Sequence, residues 1–337
     1  MRDPWGQRLI DAYNRPITYL RLSVTDRCNL RCCYCQSNAA QTYIPHEDIL
    51  HYEEMLRFVG IVQRLGIAKV RVSGGEPFVR KGCIDFLRAL RAHFPSLDLR
   101  ITTNGTQILP FVKDLQTIRI NAVNVSVDSL DPQTFARITS SDALPRVLEA
   151  VDALVCAGIV VKINAVAMQG QTEQEMERFI DFAIAKGIDV RFIEFMPMGK
   201  NTLWRKELFC PVSRLKERAE QLVDLVPVER TNATDGPARM YAIAGTSARL
   251  GFIAAVSDHF CMTCNRLRLT SEGSLRLCLF DDREYPIRAL LRDPSVDDAM
   301  IAQACLAACT KKVIGSELLA ASRSRAVANR LMSGIGG

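Results

Sequence analysis

The sequence predicts an α/β fold. An open, partial (β/α)6 barrel is expected over residues 16–235, after a polar lead-in at 1–15, and a smaller α+β domain over 236–337. Three observations carry this. Between Ile17 and Phe195 about six short apolar runs alternate with stretches of helical periodicity, the pattern of parallel βαβ units with right-handed crossovers. Six strands fall short of the eight that close a (β/α)8 barrel. After Met196 the alternation fades, and Asn232-Ala-Thr-Asp-Gly-Pro237 gathers turn-forming residues as a domain boundary does.

In chain order, the first strand covers Ile17–Val24 and leads into a cysteine-rich loop. Residues 36–51 are irregular, and helical spacing sets in at Tyr52–Leu65. Strands are expected at Ala68–Val72, Leu97–Thr103, Ala122–Val127, Ile159–Ala167 and Val190–Phe195, each a short run rich in branched apolar side chains. Helices are expected at Cys83–His93, Ala143–Ala157 and Glu173–Lys186, where apolar residues recur every three or four positions. Pro211–Val226 reads as a surface helix. Met240–Ala244, Leu250–Ala255 and Leu267–Thr270 read as short strands, and Glu272-Gly273 turns Ser274–Phe280 back as a hairpin. Residues 297–310 and 316–332 are helical in pattern.

Bulk properties exclude several classes. The 337 residues are 48% hydrophobic, enough for a sizeable core. No apolar run approaches a membrane span, and the N-terminus lacks a signal-peptide pattern, which points to the cytoplasm. A net charge of +6 suits an anionic small molecule and argues only weakly for nucleic acid. Twelve cysteines without a secretion signal point to metal rather than disulfides.

Cys28, Cys32 and Cys35 stand in the spacing C-x3-C-x2-C at the end of the first strand. Three thiolates so placed can hold three corners of a cubane iron–sulfur cluster and leave one iron open for chemistry. The alternative is a zinc knuckle or buried thiols. Cys33 falls outside the spacing and reads as a spectator. A second set, Cys261-x2-Cys264-x13-Cys278, is followed by Asn265-Arg-Leu-Arg268. Taken alone it fits structural zinc, with His259 as fourth ligand. Arg266 and Arg268 share one strand face, as a charged substrate requires. Arg21, Lys69, Arg71, Lys162 and Arg191 fall in the barrel strands, at the mouth that carries the cysteine loop. Charges there are costly unless paired, and Glu76, Asp128 and Glu194 are candidate partners. The surplus of cations suggests a polyanion such as a triphosphate.

The cysteine spacing with an aromatic before its last member resembles the radical S-adenosylmethionine (SAM) enzymes. The runs YLRLSVTDRCN at Tyr19–Asn29 and C-x2-C-N-R-L-R-L-T after Cys261 resemble their GTP 3′,8-cyclase family in particular, over nearly the whole chain. Gln36-Ser37 and Cys33 depart from that family's usual residues.

The resemblance implies a radical-SAM barrel, two [4Fe-4S] clusters and SAM. Gly75 and Glu76, in Ser73-Gly-Gly-Glu-Pro77, would meet the amino group of SAM. Ser126 and Met196 would also contact SAM, and Tyr34 its adenine. Thr102 would contact GTP, together with Arg21, Lys69, Arg71, Lys162, Arg191, Arg266, Leu267 and Arg268. The second cluster's open iron would meet the guanine. The family ends in the same Gly-Gly pair as Gly336-Gly337, which would reach the cavity and arrange the reacting groups with Arg21, Arg71, Lys162, Arg266 and Arg268. The implied reaction takes hydrogen from C3′ of GTP and closes C3′ onto C8, the first step of molybdenum cofactor biosynthesis. It implies a low-potential electron donor and product hand-off to a cyclic pyranopterin monophosphate synthase. Neither nucleic acid nor membrane is an expected partner, and a homodimer is compatible. The competing readings are another radical SAM enzyme with an auxiliary cluster, such as a peptide modifier, and a zinc-stabilised binding protein. A peptide substrate gives no reason for Arg266 and Arg268, and a brown colour after anaerobic purification would exclude the zinc protein.

Overall fold

The structure is a computed structural model and describes residues 3–35, 43–199, 204–229, 236–322, 328 and 332–336. The six expected strands are β1 (Tyr19–Ser23), β2 (Lys69–Ser73), β3 (Asp98–Thr103), β4 (Ala122–Ser126), β5 (Val161–Ala167) and β6 (Asp189–Glu194). They pair side by side in sequence order, all parallel. The crossovers carry α1 (Tyr52–Arg64), α2 (Cys83–His93), α3 (Val112–Ile118), α4 (Pro132–Thr139), α5 (Leu144–Cys156) and α6 (Met176–Lys186). The short helices α3 and α4 were not expected. For α4 the signal was present, since Asp131 before Pro132 accepts from the Thr134 amide at 2.9 Å as an N-cap.

The rest of the chain adds α7 (Val212–Glu220), β7 (Leu225–Val228), β8 (Arg239–Ile243), β9 (Arg249–Ile253), β10 (Arg266–Leu269), β11 (Ser274–Arg276) and β12 (Tyr285–Pro286). It closes with α8 (Ile287–Arg292), α9 (Asp298–Cys309), α10 (Gly315–Ala321) and α11 (Met332–Ile335). The expected helix Pro211–Val226 stops at Glu220. Val226 and Val228, β-branched, instead go into the edge strand β7, where Pro227 is tolerated. Of the helix expected over 316–332, α10 covers the described start.

The downstream strands extend the barrel sheet at both edges. Its order is β12-β11-β10-β1-β2-β3-β4-β5-β6-β9-β8-β7. Strand β10 lies parallel to β1, and β9 parallel to β6, so eight parallel strands stand in a row.

Period-two alternation gives this sheet two unlike faces. Leu20, Leu22, Val70, Val72, Leu99, Ile101, Val123, Val125, Ile163, Val190 and Phe192 are fully buried in the main apolar core. The other face carries Tyr19, Arg21, Lys69, Arg71, Asn124, Lys162, Asn164 and Arg191. A barrel interior is ordinarily filled with branched apolar residues. A polar one is shaped for a polar ligand. Among the described residues no helix is long and apolar enough to cross a membrane.

Candidate active site

The first cysteine loop leaves the C-terminal end of β1 and is pinned from several sides. The Arg31 and Cys33 amides donate to the carbonyls of Thr139 and Ile138, each at 2.9 Å. The Tyr34 hydroxyl donates to Asp128 at 2.6 Å, and its ring meets Phe195 edge-on at 6.4 Å. Asn104 Nδ2 lies 3.7 Å from Cys28 Sγ. Burial pushes the Cys32 thiol well above its usual range, with Asp128, Cys35 and Cys28 adding to it, and burial raises Cys28 too. Metal binding here must therefore displace protons.

The glycine pair at the end of β2 fits against this loop. A Cβ on Gly74, whose φ is +155°, would lie 2.5 Å from Thr25 O, and one on Gly75 2.2 Å from Arg27 O. Their absence lets Gly75 N reach Thr25 O at 2.7 Å and Glu76 N reach Arg27 O at 2.8 Å. The Glu76 side chain turns inward. It is fully buried and accepts from Thr103 Oγ1 at 2.8 Å and the Asn104 amide at 2.6 Å, with burial raising its carboxyl to about 7. That side chain ties the ends of β2 and β3 together. Ser126 ends β4, and Met196 follows β6 beside a small apolar cluster of Met198, Phe280, Ala328 and Ile335.

The interior cations form layers set by strand register. Arg268, Arg21, Arg71 and Arg100 stand in one row, and Thr102, Asn124, Lys162 and Asp189 in another. Their carboxylate partners differ from those expected. Glu76, Asp128 and Glu194 bond to hydroxyls and amides. The pairs are Lys162–Asp189 at 2.8 Å and Lys69–Asp98 at 3.5 Å, because Asp98 and Asp189 face the cations in register. Arg71 donates to the Tyr19 hydroxyl at 2.6 Å and to Ile101 O at 3.1 Å, and lies 3.4 Å from Thr102 Oγ1. Arg191 is different: among the described residues its buried Nε and Nη2 meet no acceptor, nor does Arg266 Nε, and the buried Oδ1 atoms of Asn124 and Asn164 meet no donor. Burial, with the charge of Arg71 on β2 adding to it, lowers Arg191 to about 9. Burial alone would raise the Tyr19 phenol, yet Arg71, Arg21 and Arg266 bring it down to about 7. Among the described residues the cations on this face outnumber the carboxylates Asp98 and Asp189, so the potential inside is positive. Leu267 turns its side chain into the apolar core and offers only backbone.

The second cysteine set is at the opposite end of the barrel. Cys264 precedes β10, which runs parallel to β1, whereas Cys28 follows β1. The cations therefore line the space between the two sets, rather than only the mouth beside the first. Five residues of β1 at about 3.3 Å each put roughly 16 Å between the ends. A Cβ on Gly315 would lie 2.8 Å from Cys278 Sγ and 3.8 Å from Cys261 Sγ, so a glycine keeps that space open. Burial raises Cys264, but Lys312 and Arg266 more than offset it and leave its thiol below the ordinary range. All six cysteines are free of disulfides. Among the described residues no trio of Cys, His, Asp or Glu closes around a single ion. Three thiols at each end that do not close on a single ion fit a larger group such as a four-iron cubane, and at the second set Gly315 leaves space for it.

The chain's end enters the same interior. Arg268 Nη1 donates to Gly336 O at 2.6 Å. At φ +69°, a Cβ on Gly336 would lie 2.6 Å from Ser73 Oγ and 3.4 Å from Ser23 Cβ, at the ends of β2 and β1. Gly337 lies outside the described residues.

Residues 22–183 match the Radical SAM superfamily, and 188–316 match Molybdenum Cofactor Synthesis C. A GTP 3′,8-cyclase of Thermodesulfovibrio yellowstonii is 44% identical over 84% of this chain and 88% of its own length. One of Agrobacterium fabrum is 40% identical over 98% of this chain and 94% of its own. The chain belongs to the GTP 3′,8-cyclase family. Among solved structures, Streptococcus suis SuiB bound to S-adenosylmethionine shares the fold, with a TM-score of 0.64 at 16% identity, covering 94% of this chain and 77% of that one.

Within this GTP 3′,8-cyclase family member, sequence reasoning missed Tyr19, Asn124 and Asn164, which line the same face as the arginines. Their signal was available, since polar residues at alternate positions of an otherwise apolar strand mark its inner face. Asp98 and Asp189 open their strands and were missed for want of register. Replacing Arg266 with Ala should weaken GTP by about 1.5–3 kcal/mol, the worth of a hydrogen bond from a charged group, or roughly 10–150-fold. Guanosine should lose less. Titrating both ligands checks this, and equal losses would make Arg266 structural.

Proposed function

We propose that this enzyme is a lyase that cyclises GTP to 3′,8-cyclo-7,8-dihydro-GTP for molybdenum cofactor biosynthesis. The observation that carries the reading is a positive barrel interior between two tricysteine sets, in which Arg191 Nε and Nη2 are buried without an acceptor among the described residues. A triphosphate supplies a balancing anion and accepts in the forked geometry that guanidinium favours.

Cys28, Cys32 and Cys35 would hold one [4Fe-4S] cluster, and Cys261, Cys264 and Cys278 the other. When bound, the first cluster and SAM supply a hydrogen-abstracting radical, and the second cluster offers an open iron to the guanine. The chain's own residues do the placing. Gly74 and Gly75 hold the cysteine loop against β2. The Tyr34–Asp128 bond fixes that loop to the end of β4. Arg21, Arg71, Arg191, Arg266 and Arg268 would hold the triphosphate, with Lys69, Lys162 and Thr102 around it. A substrate so held would span the interior between the two cysteine sets. Gly336, bonded to Arg268 and set beside Ser23 and Ser73, would help hold the reacting groups in place.

The reading calls for a low-potential electron donor, for a synthase that consumes the cyclised nucleotide, and for the cytoplasm, where thiols stay reduced. A homodimer is compatible with it. Anaerobic incubation with SAM, dithionite and GTP tests it. Deoxyadenosine and a cyclised nucleotide are the expected products, and SAM cleavage without a GTP product would count against it. Cys264→Ser should keep part of the SAM cleavage and stop cyclisation. Stoichiometric zinc at that site in anaerobically prepared protein would defeat the second-cluster assignment.

A further inference from the structure

The second cysteine set stands beside a charge with no counter-charge. Lys312 lies in the connection between α9 and α10 and is 2% exposed. Its ammonium donates to Arg266 O at 2.9 Å and to Leu277 O. Arg266 stands two residues after Cys264, and Leu277 immediately precedes Cys278. One ammonium thus ties both ligand-bearing segments together. Three residues on, Gly315 brings the same connection against Cys278 and Cys261.

Among the described residues no carboxylate pairs with Lys312. Two other buried cations of this region do have carboxylate partners: Arg15 with Asp11 at 2.6 Å, and Arg276 with Glu284 at 2.7 Å. Carbonyl dipoles relieve only part of the cost of a dry ammonium, so a fold that keeps one supplies an anion.

We propose that Lys312 is the buried counter-cation of an iron–sulfur cluster held by Cys261, Cys264 and Cys278. This rests on reading that set as a cluster site. An oxidised cubane with three thiolates is already net negative, and reduction adds one more negative charge. A fixed ammonium in the same dry pocket, where charges are least screened, stabilises the reduced cluster more than the oxidised one. Lys312 therefore sets this cluster's reduction potential and leaves the first cluster, at the far end of the barrel, untouched. Because it also holds the Arg266 carbonyl, it is a positioning residue that couples the cluster to the substrate-facing strand.

The test is a potential titration of anaerobically prepared holoenzyme, following the paramagnetic signal of each cluster in the parent, Lys312→Arg and Lys312→Met. In Lys312→Met the ratio of reduced to oxidised second cluster at a fixed potential should fall about tenfold, a shift of about 59 mV to lower potential for one electron. Lys312→Arg should stay near the parent, and the first cluster should not move in either. An unmoved second-cluster potential in a fully iron-loaded Lys312→Met overturns the proposal, because a mere backbone tie predicts that result. A second measurement covers poor folding of that variant. In a background with Cys261, Cys264 and Cys278 all replaced by Ala, Lys312→Met should raise the melting temperature, since the ammonium there has lost its anion. A fall would overturn the proposal. Iron counts separate the two readings: a parent that loads no second cluster defeats the cluster assignment itself, whereas a loaded parent with unmoved potentials defeats only the role of Lys312.

Discussion

Cys32→Ser should abolish deoxyadenosine formation and leave about half of the iron in place, because distant, independent sites do not share their losses. Its expected effect is the largest of any single change. Cys32 is the middle ligand of a loop pinned by Tyr34 to Asp128 and by the Cys33 amide to Ile138, so the loop cannot shift to recruit a substitute. Cys33, next door, has its amide committed to α4, which holds it out of the C-x3-C-x2-C spacing. The second set is at the other end of the barrel, roughly 16 Å away by strand rise, and should keep its iron. Iron analysis beside a SAM-cleavage assay reads both. Full SAM cleavage by the variant would overturn the assignment of the loop.

Removal of Gly336 and Gly337 should lower cyclised product by at least about 100-fold while iron content, SAM binding and melting temperature stay near the parent, since misplacing reacting groups by about 1 Å can cost that much. The ordinary expectation for a chain end is a frayed segment without a role. Here Gly336 O accepts from Arg268 Nη1 at 2.6 Å, and the residue is wedged between Ser23 and Ser73. Without it Arg268, whose charge burial already disfavours, loses its shorter main-chain bond and keeps only the 3.5 Å contact to Ile335 O, which loosens its hold among the cations. Gly336→Ala should follow the deletion in direction, because a left-handed φ of +69° and a Ser73 oxygen 2.6 Å from the new Cβ both oppose it. The two glycines carry no apolar side chain, and Ile335 before them keeps its place in the small cluster with Met198, Phe280 and Ala328, so stability has little to lose. A truncated enzyme that cyclises GTP at the parent rate would return the tail to the frayed category.

Several features of this protein are local in the chain, and the sequence by itself determined them. The spacing of Cys28, Cys32 and Cys35 follows from the reach of one loop. Apolar runs of strand length, separated by helical periodicity, determine the βα units. Arg266 and Arg268 share a face because side chains alternate along a strand. The Gly-Gly turn after β2 was visible, although its reason, contact with the backbone of Thr25 and Arg27, was not.

What only the tertiary structure decided depends on which strand lies beside which. Pairing β10 parallel to β1 turns the second cysteine set to the far end of the barrel and leaves the arginines between the two sets. Register gives Lys69 and Lys162 their true partners, Asp98 and Asp189, in place of the acids nearer the strand ends. The fold brings Arg191 of β6 into the field of Arg71 of β2. It also buries Lys312, a lysine that reads as an ordinary surface residue in the sequence, against the backbone beside Cys264 and Cys278. Long-range pairing is non-local, and no run of neighbouring residues encodes which ends of a sheet will face each other across its interior.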